Sequence, residues 1–259
     1  MLIPSRPEWA FEVRRARRPG PFGPAAQPPA PLRRPRAIVF DVGMTLIHPA
    51  GDQLREAIRL LLPDFWAPAD DLVAAMALAA EARHLPLPRE MDENTKMAST
   101  WASLIGVPPS VGIDAWNSAH SNPGLYSDLD PDAIHVLESL STMEIPVGAL
   151  SNAKGELEGE LQHFGISSYF DSAIDSSETG LEKPEPALFR LACTELGANP
   201  EDCWFIGDGL INDTLGSRSA SFGTSILYDR YDMYARLPGV ARILELRDLL
   251  RWVDSAVSS

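Results

Sequence analysis

The sequence predicts an α/β fold, a doubly wound parallel sheet carrying a small α-helical subdomain, and three observations point to it. Short apolar runs recur at 37–42, 145–150, 203–206 and 222–228, with a weaker one at Ala173 and Ile174. Runs that are apolar throughout, rather than alternating, suit strands buried on both faces of a parallel sheet. Helical stretches at 131–140, 155–164, 184–196 and 212–220 alternate with these runs, as strand–helix–strand crossovers require. Residues 52–120 break the alternation: 52–62, 70–84 and 92–105 all read as helices, several opening on an acidic N-cap. Pro86, Pro88, Pro108 and Pro109 punctuate them.

The expected organisation is therefore a sheet core at 37–51 and 121–259, with a helical insertion at 52–120. A last helix is expected over 240–252, where Ile243, Leu244, Leu246, Leu249, Leu250 and Val253 form a core-facing stripe. Residues 1–36 read as a disordered tail, because nine prolines forbid a helix or central strand and little apolar surface remains to offset ordering entropy. Eight arginines against two acids make that tail basic. Residues 37–259 carry 14 basic and 34 acidic groups. So acidic a body argues against nucleic acid as a partner, and any anion it binds needs a local metal, a lysine or backbone amides.

Hydrophobic residues at 45% and charged residues at 22% are ordinary for a soluble globular chain. No apolar run is long enough to span a bilayer, and no secretory signal is visible. Cys193 and Cys203 alone suggest neither a metal pattern nor a disulfide framework, so a cytoplasmic location is expected.

In parallel α/β sheets, ligands lie at the carboxyl ends of the strands, and four polar sites fall there. Asp41 closes the first run, and Ser151-Asn152 closes the second. Lys183 follows a loop in Gly180-Leu181-Glu182-Lys183-Pro184. Asp208 and Asp213 follow the third strong run in Gly207-Asp208-Gly209-Leu210-Ile211-Asn212-Asp213. Taken singly, each has a bland reading as a cap, a turn or a surface residue. Together they suggest a reaction class. Carboxylates at neighbouring strand ends can share a hard cation such as magnesium, and a lysine offsets further negative charge. A hydroxyl and turn amides can hold a phosphoryl oxygen, and an aspartate can attack phosphorus to give an aspartyl-phosphate.

These residues, in this order, resemble the haloacid dehalogenase superfamily, in the subgroup whose helical cap is inserted directly after the first motif. The resemblance covers about 37–252 and is most specific at Gly180 to Phe189 and Gly207 to Asp213. It implies a Rossmann-like core and a magnesium-dependent hydrolase of small phosphorylated metabolites. Asp41 would be nucleophile and metal ligand. Ser151, helped by the Asn152 amide, would bind the phosphoryl group, and Lys183 would hold Asp41 and phosphate in register. Asp208 would ligate magnesium, with Asp213 a further acid at the lysine or metal. The insertion at 52–120 would close over the site and choose the substrate.

One departure stands out. Phosphatases of this superfamily usually carry a second aspartate two residues after the nucleophile, as general acid and base. Here that position is Gly43, whose carbonyl can still bind magnesium but cannot move a proton. His84, Glu93 or His120 of the insertion could supply the proton, turnover could be slow, or the chain could bind phosphorylated ligands or a partner without turnover. A dehalogenase is disfavoured by the acid at Asp208. A phosphonatase would need a cap lysine, and Lys96 is the only lysine in that segment. Trp101, Trp116, Phe65 and Trp66 read as insertion core, Tyr228, Tyr231 and Tyr234 as a packed edge, and His48 as a residue reaching the hinge.

Overall fold

A computed structural model describes residues 32–86, 88–237 and 239–257. From the N-terminus these form β1 (Ala37–Phe40), β2 (Ile47–Pro49), α1 (Gly51–Arg59), α2 (Ala69–Ala80), α3 (Glu93–Ile105), α4 (Pro109–His120) and β3 (Tyr126–Leu129). Next come α5 (Ala133–Thr142), β4 (Val147–Ser151), α6 (Leu157–His163), β5 (Ser172–Asp175), α7 (Ser176–Thr179) and α8 (Pro186–Glu195). The chain ends with β6 (Cys203–Gly207), a π-helical turn (Leu210–Leu215), α9 (Gly216–Ser219), β7 (Thr224–Tyr228), β8 (Ala241–Ile243) and α10 (Asp248–Ser255). The described residues divide into two compact units, 49–128 and the combination of 32–48 with 129–257.

The larger unit is built on a six-stranded sheet in the order β5-β4-β1-β6-β7-β8, parallel throughout, while β2 and β3 pair separately. Central β1 pairs with β4 (Val39 opposite Gly148) and with β6 (Val39 opposite Phe205), and every residue of all three strands is buried. Such strands have no solvent face to alternate toward, so the sequence shows unbroken apolar runs. On one face Ala37, Val39, Cys203 and Phe205 pack with Leu188, Phe189 and Ala192 of α8. The equally buried Ile38, Phe40, Trp204 and Ile206 alternate with them and point to the other face.

Two expectations are corrected here. Residues 240–252 are not one helix: Ala241–Ile243 form β8, in register with Ile226–Tyr228, and the helix begins only at Asp248. The apolar spacing fits a helix, but an open edge beside β7 gives this segment backbone partners that the spacing does not reveal. Residues 32–36, expected as part of the tail, pack against the sheet unit's C-terminal segment. Leu32 and Pro35 are buried, Arg34 N–H donates to Val257 O at 3.1 Å, and Val257 N–H donates to Leu32 O at 3.0 Å. Residues 1–31 of the expected tail lie outside the described residues.

The smaller unit holds α1 to α4. Asp92 caps α3 by accepting the Thr95 N–H at 2.9 Å, and Gly106 ends it at φ 76°. Helix α4, which the prolines obscured, starts with Pro109 in its first turn, where a missing N–H costs nothing. It approaches α3 closely at Gly112, where a Cβ would lie 2.2 Å from that of Ala102. Trp101 and Trp116 form core, their rings 5.7 Å apart, and Trp101 donates to Leu72 O at 3.0 Å. Trp66, by contrast, is 69% exposed. Among the described residues, no helix is long and apolar enough to cross a membrane.

Where β2 leaves the sheet unit and β3 returns to it, a buried polar cluster forms around Asp130. The Tyr228 hydroxyl donates to Asp130 Oδ2 at 2.6 Å, Arg230 donates at 3.1 Å, and His48 Nε2 lies 3.1 Å away. The Asp132 N–H donates to Oδ1 at 3.0 Å. Burial opposes the charge of Asp130, but bonds from His48, Tyr228 and Asp132 outweigh it and hold the carboxyl below its ordinary 3.8. A carboxyl depressed on folding stabilises above its unfolded value and loses that contribution as pH falls through the folded one. We therefore expect the urea midpoint to drop as the pH falls below about 4, the ordinary value of the group. Asp130→Asn should flatten that drop; an identical acid profile in the variant would refute this role.

Candidate active site

Parallel strands deliver their carboxyl ends to one edge of the sheet, and neighbours β4, β1 and β6 bring Ser151, Asp41 and Asp208 there. Asp41 is the first residue beyond β1; its N–H donates to Ile206 O at 2.8 Å, extending the ladder with β6. The residue is only 5% exposed. Lys183, equally buried, donates through Nζ to Asp41 Oδ1 at 2.5 Å and to Asp213 Oδ1 at 2.8 Å. One ammonium thus sits between two carboxylates in a site shielded from water.

Burial pushes the Asp41 carboxyl up to about 6, with Asp213 adding to the rise while Lys183 and Thr45 pull the other way. On Lys183, burial disfavours the charged form, yet Asp213 and Asp41 more than reverse this and hold the ammonium protonated. Oxygens of Asp41, Asp208 and Asp213 all lie within 4.8 Å of one another. Lys183 bonds two of these three carboxylates. Hard oxygen donors so placed suit a small divalent cation.

Sequence reasoning overlooked Thr45 and two glycines. After Asp41 the chain folds back at once: the N–H groups of Leu46 and Ile47 donate to Val42 O at 2.8 and 3.0 Å, and Met44 takes φ 64°. This turn returns Thr45 to the strand end. Its hydroxyl donates to Asp41 Oδ2 at 2.8 Å and accepts the Asp208 N–H at 3.1 Å, bridging the β1 and β6 loops. Gly207 and Gly209 make room for Asp213, whose Oδ2 accepts the Gly209 N–H at 2.8 Å. A Cβ on Gly207 would lie 2.5 Å from the Asp213 carboxyl carbon. Asp213 itself rides on the π-helical turn, a backbone form frequent at functional sites. Only the position of Thr45 in the first motif, four residues after Asp41, could have marked it in the sequence.

The remaining expected residues take these places. Ser151 ends β4 and is buried, and half-buried Asn152 follows it. Gly43, half-buried, bridges to Ile47 and contributes no side chain. In the helical unit, His120 Nδ1 lies 2.8 Å from Trp116 O with its ring stacked on Trp116. Lys96 donates to Leu85 O at 2.8 Å, Glu93 is exposed at the start of α3, and His84 lies in a short 3-10 turn.

Sheet order, acidic strand ends and a buried bridging lysine define a hydrolase with an α/β core. The profile of haloacid dehalogenase-like hydrolases matches residues 35–221, and the chain belongs to that family. It is 27% identical over 251 residues to the N-acylneuraminate-9-phosphatase of Rattus norvegicus, covering 88% of this chain and 98% of that protein. The glyceraldehyde 3-phosphate phosphatase of Methanopyrus kandleri is 33% identical over 106 residues. That match spans 40% of this chain and 46% of the relative. A HAD-hydrolase from Bacillus subtilis, solved bound to magnesium, has a similar fold, with TM-score 0.58 and 18% identity over 86% of this chain and 100% of that one.

Proposed function

We propose that this chain is a cytoplasmic, magnesium-dependent phosphatase of small phosphorylated metabolites, with Asp41 attacking phosphorus. The observation that carries this reading is the buried Asp41–Lys183–Asp213 arrangement, with Asp208 alongside. Asp41, Asp208 and the Gly43 carbonyl would hold magnesium, helped by Asp213, and the ion would offset charge on the transferring phosphoryl oxygens. Lys183 and Thr45 each bind one oxygen of Asp41, which fixes the rotamer of the attacking carboxylate. Ser151 Oγ and the Asn152 N–H would donate to phosphoryl oxygens, an arrangement suited to charge that develops during transfer. The named phosphatases among its relatives support a small phosphorylated substrate, and the helical insertion is the natural place for its selection.

With glycine at position 43, no side chain there protonates the leaving group. The loss should cost about 10²–10⁴-fold on alkyl phosphates and much less on aryl phosphates, whose leaving groups depart without a proton. The test is hydrolysis of a generic aryl phosphate and a panel of metabolite phosphates, with and without magnesium, by wild type and Asp41→Asn. Activity that needs both magnesium and Asp41 is expected. No turnover by folded protein would instead favour a non-catalytic phosphate-binding protein, which Gly43 makes the second reading.

Thr45→Val keeps the shape of the side chain but removes the bridge between Asp41 and Asp208. A hydrogen bond to a charged group contributes about 1.5–3 kcal/mol, so kcat should fall roughly tenfold or more. An unchanged kcat would show that Thr45 does not hold the nucleophile.

A further inference from the structure

Strands β4 and β5 are neighbours, with Ser151 directly opposite Asp175. Each is followed by a loop, and each loop is held by a side chain belonging to the other. The Asn152 carboxamide binds both main-chain groups of Lys183: Oδ1 accepts the Lys183 N–H at 2.9 Å, and Nδ2 donates to the Lys183 carbonyl at 3.1 Å. In return, Asp175 Oδ2 accepts the Gly155 N–H at 2.8 Å and the Leu157 N–H at 3.4 Å.

The segment after β5, made of α7 and the loop beyond it, is fastened at both ends. At its start, Asp175 Oδ1 accepts the N–H and hydroxyl of Ser177 at 3.0 and 2.7 Å. Midway, the Thr179 hydroxyl donates to Ser176 O at 2.9 Å and accepts the Leu181 N–H at 3.1 Å. At its end stands the Asn152 clamp, one residue after Ser151. A two-point amide clamp on the peptide groups either side of Lys183 leaves that residue little freedom to shift or rotate. The lysine side chain it carries must reach two carboxylates at once.

We propose that Asn152 and Asp175 are positioning residues that lace the loops after β4 and β5 to each other and so fix Lys183 relative to Ser151. The Asn152 side chain then acts on the lysine backbone rather than on substrate. This inference rests on the phosphatase reading only for its kinetic consequence, because the lacing itself can be read without turnover.

Hydrogen exchange followed by mass spectrometry on wild type, Asn152→Ala and Asp175→Asn reads the lacing directly. Peptides covering 180–186 should exchange about tenfold faster in Asn152→Ala, and those covering 153–157 should loosen in Asp175→Asn, with β1 and β6 unchanged. Kinetics on the same proteins should show kcat lower by about 10- to 100-fold, with KM nearly unmoved. Unchanged exchange at 180–186 in Asn152→Ala would overturn the proposal, as would faster exchange with kcat intact. A raised KM at constant kcat would assign the Asn152 side chain to substrate instead. Should wild type hydrolyse no phosphate ester, the phosphatase reading fails, and the lacing stands or falls on exchange alone.

Discussion

Lys183→Met is expected to lower unfolding free energy by about 3–5 kcal/mol, the usual cost of removing one partner from a buried ion pair, and to leave no measurable turnover. Without the ammonium, Asp41 and Asp213 face each other buried and uncompensated, where Lys183 now bonds both at 2.5 and 2.8 Å. They must then take up a proton or draw in water, and a protonated Asp41 is no nucleophile. Magnesium should stabilise this variant more than wild type, because the same carboxylates would then have the ion as their sole counter-charge. Urea unfolding with and without magnesium measures both effects. Lys183→Arg should not rescue activity, since a planar guanidinium does not fit a position shaped for a compact ammonium. Wild-type stability in Lys183→Met would mean that the ion pair is not the charge balance of this site.

Gly207→Ala should be the most damaging single-methyl change in the sheet. The added Cβ would lie 2.5 Å from both the carboxyl carbon and Oδ2 of Asp213, and 2.6 Å from its Cβ. Asp213 cannot swing aside freely, because its carboxylate binds Lys183 and the Gly209 N–H. Overpacking of this kind costs about 1–3 kcal/mol, and displacing a positioning group by about 1 Å can cost about 10²-fold in rate. Kinetics and urea unfolding of the variant measure both; a fully active Gly207→Ala would show that Asp213 does not hold Lys183 in its working position.

Much of this fold was legible because burial writes itself directly into composition. Strands β1, β4 and β6 lie between two packed faces, so their runs are apolar throughout. Asp41 and Asp208 stood out as the first charges after such runs. Edge elements carry weaker signals: β8 is three residues long and its segment also satisfies a helical period, and α4 hides behind a proline pair whose second member simply opens the helix. Within the site, residues that would touch a reacting group were readable from their chemistry and their places at strand ends. Those that act through geometry were not. Thr45 reaches Asp41 only because the chain turns back at Met44, and Asn152 clamps Lys183 across 31 positions of sequence. Gly207 matters only because Asp213 folds over it. None of these follows from residue type until the path of the chain is known.

The most direct test of Asp41 as nucleophile is a rapid acid quench of the enzyme turning over an aryl phosphate with magnesium, followed by peptide mass spectrometry. With no side chain at Gly43 to activate water, the second half of the reaction should be slow and the covalent intermediate should accumulate. The expected result is a burst of phenolate approaching one per enzyme, with a single phosphoryl group on the peptide carrying Asp41, and neither in Asp41→Asn. Steady magnesium-dependent turnover that persists in Asp41→Asn would contradict the account.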